Sequence, residues 1–248
     1  MVDVKKVLTL VVATTAVIVL GGCGRQPITQ ASSGGTGNAK TGKLDVAVLR
    51  TREYDHLVFD SPEDLAASRA APVVVAGEVA KFSQGRVIIG AVPDDNLYNV
   101  VMQVDVTEQL KGINGTDALV NRQVLVELPQ GPLCGSDLTP CRSLRDFEAA
   151  IPAGTCVLLF LQPAKTSAAG MADGGRTVDP HAGRPANAPL FTAYPQGLVF
   201  EQASDVDKKL VGGFEDLEDQ PEGWQPKNRS MSPMNEYINR IKSKGFTG

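Results

Sequence analysis

The residues able to do chemistry are few, and their spacing narrows what that chemistry can be. The 248-residue chain has two histidines, His56 and His181, and four cysteines. His181 lies in Asp179-Pro180-His181-Ala182-Gly183-Arg184-Pro185, inside a Gly/Pro/Ala-rich segment from Pro163 to Pro189 that reads as a mobile loop. A catalytic histidine needs a fixed nucleophile and a group that orients its ring, and a loop of this composition supplies neither. No G-x-S-x-G, S-x-x-K or H-E-x-x-H motif occurs. Asp94, Asp95 and Asp105 are the carboxylates an envelope-polymer hydrolase would use, but carboxylate catalysis needs two acids converging across a cleft. The run Glu215-Asp216-Leu217-Glu218-Asp219-Gln220-Pro221-Glu222 and Asp94-Asp95-Asn96 offer oxygen ligands without the register of a calcium loop, so they read as solvated acidic loops. Gly37-Asn38-Ala39-Lys40-Thr41-Gly42-Lys43-Leu44 follows the phosphate-loop pattern until Leu44 replaces the hydroxyl that would hold Mg²⁺, and no strand precedes it. No metal and no cofactor is expected.

Cys134 and Cys141 are seven apart in "GPLCGSDLTPCRS", a loop with few apolar groups of its own. A bridge between them would order that loop, and Cys156, in the apolar run "CVLLFL", is then expected as a buried thiol; pairing of Cys156 with Cys134 or Cys141 is the alternative. Asn114-Gly115-Thr116 matches a glycosylation sequon but reads as a tight turn after a strand.

The elements that must position these groups are mostly strands. Ser61-Pro62-Glu63-Asp64 is a helix start, with the helix ending near Ala70 before Pro72. Val73 to Ala80 is a Val-rich strand. In Asn99 to Thr107, Val100, Met102, Val104 and Val106 alternate with mainly polar residues, the pattern of a half-buried antiparallel strand. Gln123 to Leu128 alternates similarly, Cys156 to Leu161 is apolar on both faces and thus central, and Phe191 to Gln202 is a hairpin or a strand bent at Pro195-Gln196-Gly197. A last helix opens at Ser232-Pro233, carries Met234, Tyr237, Ile238 and Ile241 on one stripe, and ends at Gly245. The fold expected is mainly β: a small antiparallel barrel with one short helix before it and one C-terminal helix.

The N-terminus sets the address. Lys5 and Lys6 precede an uncharged run from Val7 to Leu20, which is too short to span a hydrocarbon core of about 30 Å comfortably and ends in small residues. This is an export signal, and Leu20-Gly21-Gly22-Cys23 resembles the lipobox of bacterial lipoproteins. That resemblance implies cleavage between Gly22 and Cys23 and a diacylglyceryl group, with palmitate-type chains, on the Cys23 thiol. Each buried CH₂ contributes about 0.8 kcal/mol, so two or three chains anchor a protein stably. Gly24 follows Cys23, so the inner-membrane retention signal given by Asp is lacking. Residues 1–22 are thus the signal, and 23–43 are the lipidated cysteine and a Gly/Ser/Thr/Gln tether with a reach of roughly 25 Å. Residues 44–248 form a single β-rich domain, with a barrel core over about 72–202 and an acidic loop and helix over 203–248. Losing the signal removes two of 24 basic and one of 28 acidic residues, leaving 22 and 27 and a formal charge of −5. Such a chain is a poor partner for nucleic acid.

The order "VVVAGEVAKF", "YNVVMQVDVTEQLKG", "RQVLVELPQG", "AGTCVLLFL" over about residues 72–162 resembles the oligonucleotide/oligosaccharide-binding barrel in its netrin-like form, which includes the tissue inhibitors of metalloproteases. Those inhibitors chelate the protease zinc through an N-terminal cysteine with a free amine, and an acylated Cys23 far ahead of the barrel does not reproduce that. The function expected is a lipid-anchored envelope protein, on the outer face of the cytoplasmic membrane or in an outer membrane. It would act as a binding module for an envelope protein or polysaccharide, with the 163–189 loop as contact site. A carboxylate hydrolase and a ligand-free spacer are the alternatives.

Overall fold

A computed structural model of the chain describes residues 43–90, 95–112, 122–165, 176–203, 208–228 and 230–246. The expected signal, Gly22, Cys23, the expected tether with most of its phosphate-loop-like stretch, Asp94 and Asn114-Gly115-Thr116 lie outside the described residues.

The protein is mainly β. Helix α1 (Pro62–Ala67) begins where its cap requires, with Ser61 Oγ accepting from the Asp64 amide, and stops at Ser68, sooner than expected. Strand β1 runs over Val73–Ile89, twice the length read from its valines. It pairs antiparallel with β2 (Leu97–Lys111), and its register shifts four times, between Val74 and Val75, Ala76 and Gly77, Val79 and Lys81, and Gln84 and Val87. Such bulges bend a strand, so the first half of β1 faces β6 (Cys156–Pro163) and its far end faces β7 (Arg176–Val178). Strand β3 (Gln123–Pro129) follows β2 antiparallel, and β4 (Leu133–Cys134) with β5 (Thr139–Pro140) makes a separate small hairpin. Strand β8 (Phe191–Ala203) is one continuous strand, and β9 (Lys208–Gly212) extends the sheet beyond it. Strand-to-strand hydrogen bonding runs β1-β2-β3-β8-β6 and returns to β1, with β3 and β8 meeting in parallel through Val126 with Phe191 and Glu127 with Thr192.

Three apolar clusters follow from the two faces of this sheet. Inside lie Val79, Met102, Val126, Leu159, Leu198 and Phe200. On the outer face of β1, β6 and β8, Leu65 of α1, Trp224 and the Tyr237 and Ile241 positions of α3 (Pro233–Lys242) cover Val74, Leu158 and Phe160. The expected stripe Met234, Tyr237, Ile238, Ile241 is buried throughout. Strand β6 serves both clusters, Val157, Leu159 and Leu161 inward and Leu158 and Phe160 outward, which explains a run apolar on both faces. A third cluster packs Ala164, Ala188 and Leu190 on Val101 and Leu125 of β2 and β3.

Three expectations need correction and one open alternative is decided. Besides the two expected helices there is α2 (Leu144–Ala150), which packs Phe147 inward. Of the two readings of Pro195-Gln196-Gly197, the bent strand holds and the hairpin does not: β8 runs through it, with a register shift against β6 between Leu159 and Leu161. A Cβ at Gly197 would lie 2.4 Å from Phe160 Cβ, and the bend turns Gln196 to accept from the Phe59 amide and donate to Phe59 O. The acidic run holds two 3-10 turns, Leu217–Asp219 and Glu222–Trp224, because Leu217 and Trp224 are buried against the outer cluster. Cys156 stands half-buried at the start of β6 and is not a free thiol.

Candidate functional site

Cys134 and Cys141 are joined, with Cα atoms 5.1 Å apart, and the bridge clips the β4–β5 hairpin shut. The chain leaves Cys141 directly into Arg142 and Ser143, and Ser143 starts α2. Its amide and Oγ both donate to Asp146 Oδ2, at 2.6 and 2.9 Å. Those hydrogen bonds, with the Arg142 charge nearby, hold the Asp146 carboxyl below the usual aspartate range. The bridge and this cap therefore fix where two arginines, Arg142 and Arg145, stand.

Between that corner and the far end of the β1–β2 hairpin lies an open groove of about 550 Å³. Val87 and Tyr98, paired across β1 and β2, form one apolar wall, and Pro140 and Leu144 form the other. Gln84 and Gln130 lie at its base. Gln84 Nε2 donates to Asn99 O and Gln130 Oε1, at 3.0 and 2.8 Å, and Gln130 Nε2 donates to Arg142 O at 2.8 Å. Arg142 Nη1 donates to Val48 O, in the 3-10 turn Val46–Val48. Arg142 is thus held from both ends, whereas Arg145 is exposed and has no carboxylate partner among the described residues. No lining side chain is acidic. A second, larger hollow of about 1020 Å³ lies on the other side of Arg142. Its lining has both signs, with Lys43, Asp45 and Asp146.

The other candidates are placed apart from this groove. Asp105 is exposed on β2, accepts from Gln123 Nε2 at 2.7 Å and stands opposite Glu78 of β1. Burial, with the Asp105 charge as a smaller cause, pushes the Glu78 carboxyl up, but these acids line neither hollow. Asp95 is exposed in the turn before β2. His181 is an exposed turn residue, as its loop composition implied. His56 is packed against Tyr194 with ring centroids 5.5 Å apart, and its Nδ1 lies 3.0 Å from Tyr54 O and 3.4 Å from Glu215 Oε1, an arrangement that pins the segment before α1.

The loop expected to be mobile is packed down in its described parts. Arg86 of β1 and Glu127 of β3 form a bidentate pair at 2.6 and 2.8 Å with side chains 3% and 7% exposed, and Arg86 Nη2 also donates to Lys165 O at 2.7 Å. Gly183 fits against Gln84 O and Val101, where a Cβ would come within 2.7 Å, so the returning half of the loop lies flat on β1 and β2. No family model, curated protein or solved structure matches the chain.

Proposed function

We propose that this chain is a lipid-anchored envelope protein whose domain is an oligonucleotide/oligosaccharide-type barrel used for binding. Support for the barrel comes from the order of strand pairing, from the parallel contact between β3 and β8, and from α2 in the connection that leads from β3 through the β4–β5 hairpin to β6. Support for the anchor is Leu20-Gly21-Gly22-Cys23 behind an apolar run of signal length. The observation that carries the binding reading is the groove itself. It joins Tyr98 and apolar walls to two arginines at one end of the barrel and holds no carboxylate to serve as acid or base. Envelope material retained by the immobilised full-length protein in detergent should fall off when Arg145→Gln replaces the wild type. Equal recovery by both would count against the groove as the binding site.

A further inference from the structure

We infer that the groove takes an acidic oligosaccharide, a sugar chain bearing carboxylates, laid across Tyr98 and held through its carboxylates by Arg142 and Arg145; this deepens the binding-module reading and rests on it. The sign of the ligand follows from the lining. Arg142 and Arg145 both line a groove without acidic side chains, in a chain that is acidic as a whole. Asp146, whose carboxylate feels the Arg142 charge, is engaged by Ser143 and lines the other hollow. Arginine presents a planar fork that matches a carboxylate, and Arg142 is already held through Val48 O and Gln130, so little order remains to be imposed on it.

The shape argues for a stretch of polymer. A small-molecule site encloses most of its ligand, whereas this groove is open along one side. Its apolar surface comes from the flat faces of Tyr98 and Pro140 with Val87 and Leu144, against which the CH face of a sugar ring can lie. Gln84 spends only its Nε2 on the protein, which leaves Oε1 at the exposed base to accept from a hydroxyl.

A peptide added as a strand would need unpaired backbone groups. Tyr98 O already accepts from the Gln130 amide at 2.9 Å, and Pro140 has no N–H. Single-stranded nucleic acid would need successive stacking rings in a strongly basic track, and the groove has one aromatic residue.

The test is titration of the full-length protein in detergent with a hyaluronan octasaccharide, its carboxyl-reduced counterpart, an oligoglutamate of equal charge and a single-stranded oligonucleotide. The carboxylated octasaccharide should bind, more weakly as salt is raised, and carboxyl reduction or Arg145→Gln should each weaken it roughly tenfold. Tyr98→Leu should weaken the octasaccharide without changing the thermal midpoint. Equal or tighter binding of oligoglutamate or the oligonucleotide, lost in Arg145→Gln, would overturn the sugar assignment while leaving the groove as a binding site. No octasaccharide binding at about 1 mM, the weak end of specific recognition, overturns the inference, as does binding indifferent to both substitutions.

Discussion

Removing the guanidinium of Arg86 leaves the Glu127 carboxylate buried with no cation against it. The two side chains are 3% and 7% exposed and meet through two hydrogen bonds, and the same guanidinium holds Lys165 O at the start of the loop. Breaking one side of such a pair costs about 3–5 kcal/mol, whereas replacing both sides with apolar groups of similar volume is often close to neutral. With total stability on the order of 10 kcal/mol, either single change is a large fraction of the whole. Arg86→Met and Glu127→Leu should therefore each lower the urea midpoint strongly, and the double variant should recover most of the loss. The coupling energy from the double-mutant cycle should exceed about 3 kcal/mol. Arg86→Met should also speed tryptic cleavage after Lys165, since its carbonyl loses the tie to Arg86. Additive effects below about 1 kcal/mol each would refute the reasoning, because they would mean that the pair is solvated and the loop is held by other contacts.

Three further outcomes are expected. Cys23→Ala should move the protein from the detergent phase to the aqueous phase in phase partitioning; a variant of unchanged processed mass that stays in detergent would remove the lipobox reading. Cys141→Ser should lower stability by about 2–3 kcal/mol, the scale for a short closed loop, and weaken ligand retention through Arg142; an unchanged urea midpoint would show that the hairpin is ordered without its bridge. Asp146 has a folded pKa below its unfolded one, so its contribution is full above the unfolded value and is lost as pH falls through the folded one. The stability gap between wild type and Asp146→Asn should accordingly be widest at neutral pH and close on acidification, and a gap independent of pH would contradict the Ser143 cap.

What was legible in the sequence is what short-range periodicity encodes. Val100, Met102, Val104 and Val106 alternate because one face of β2 lines the interior, and the Met234 to Ile241 stripe repeats because one face of α3 covers Trp224. The disulfide was legible because an ordered loop with few apolar groups needs another constraint. Strand β1 was read at half its length because Lys81, Ser83, Gln84 and Gly85 interrupt the alternation where the strand bulges and changes partners. Helix α2 left a signal, Ser143-x-x-Asp146 followed by Phe147 and Ile151, but only seven residues lie between its caps. Trp224 was hidden in acidic company; Phe59 O and Phe160, distant in sequence, bury it together with Tyr237 of α3. The groove is the extreme case. Gln84, Tyr98, Gln130 and the corner that carries Pro140 and Arg142 come from separate segments, so no local spacing announces the groove.

The central claim is that the groove beside Arg142 and Arg145 is where this protein meets its ligand. A photoreactive residue placed at position 145 in the cell-borne protein tests it directly, with position 244, exposed beyond α3, as the control. The account predicts a discrete adduct from position 145 that is diminished by Tyr98→Leu, and none from position 244. Adducts from position 244 with none from position 145, or an adduct at 145 indifferent to Tyr98, would contradict it.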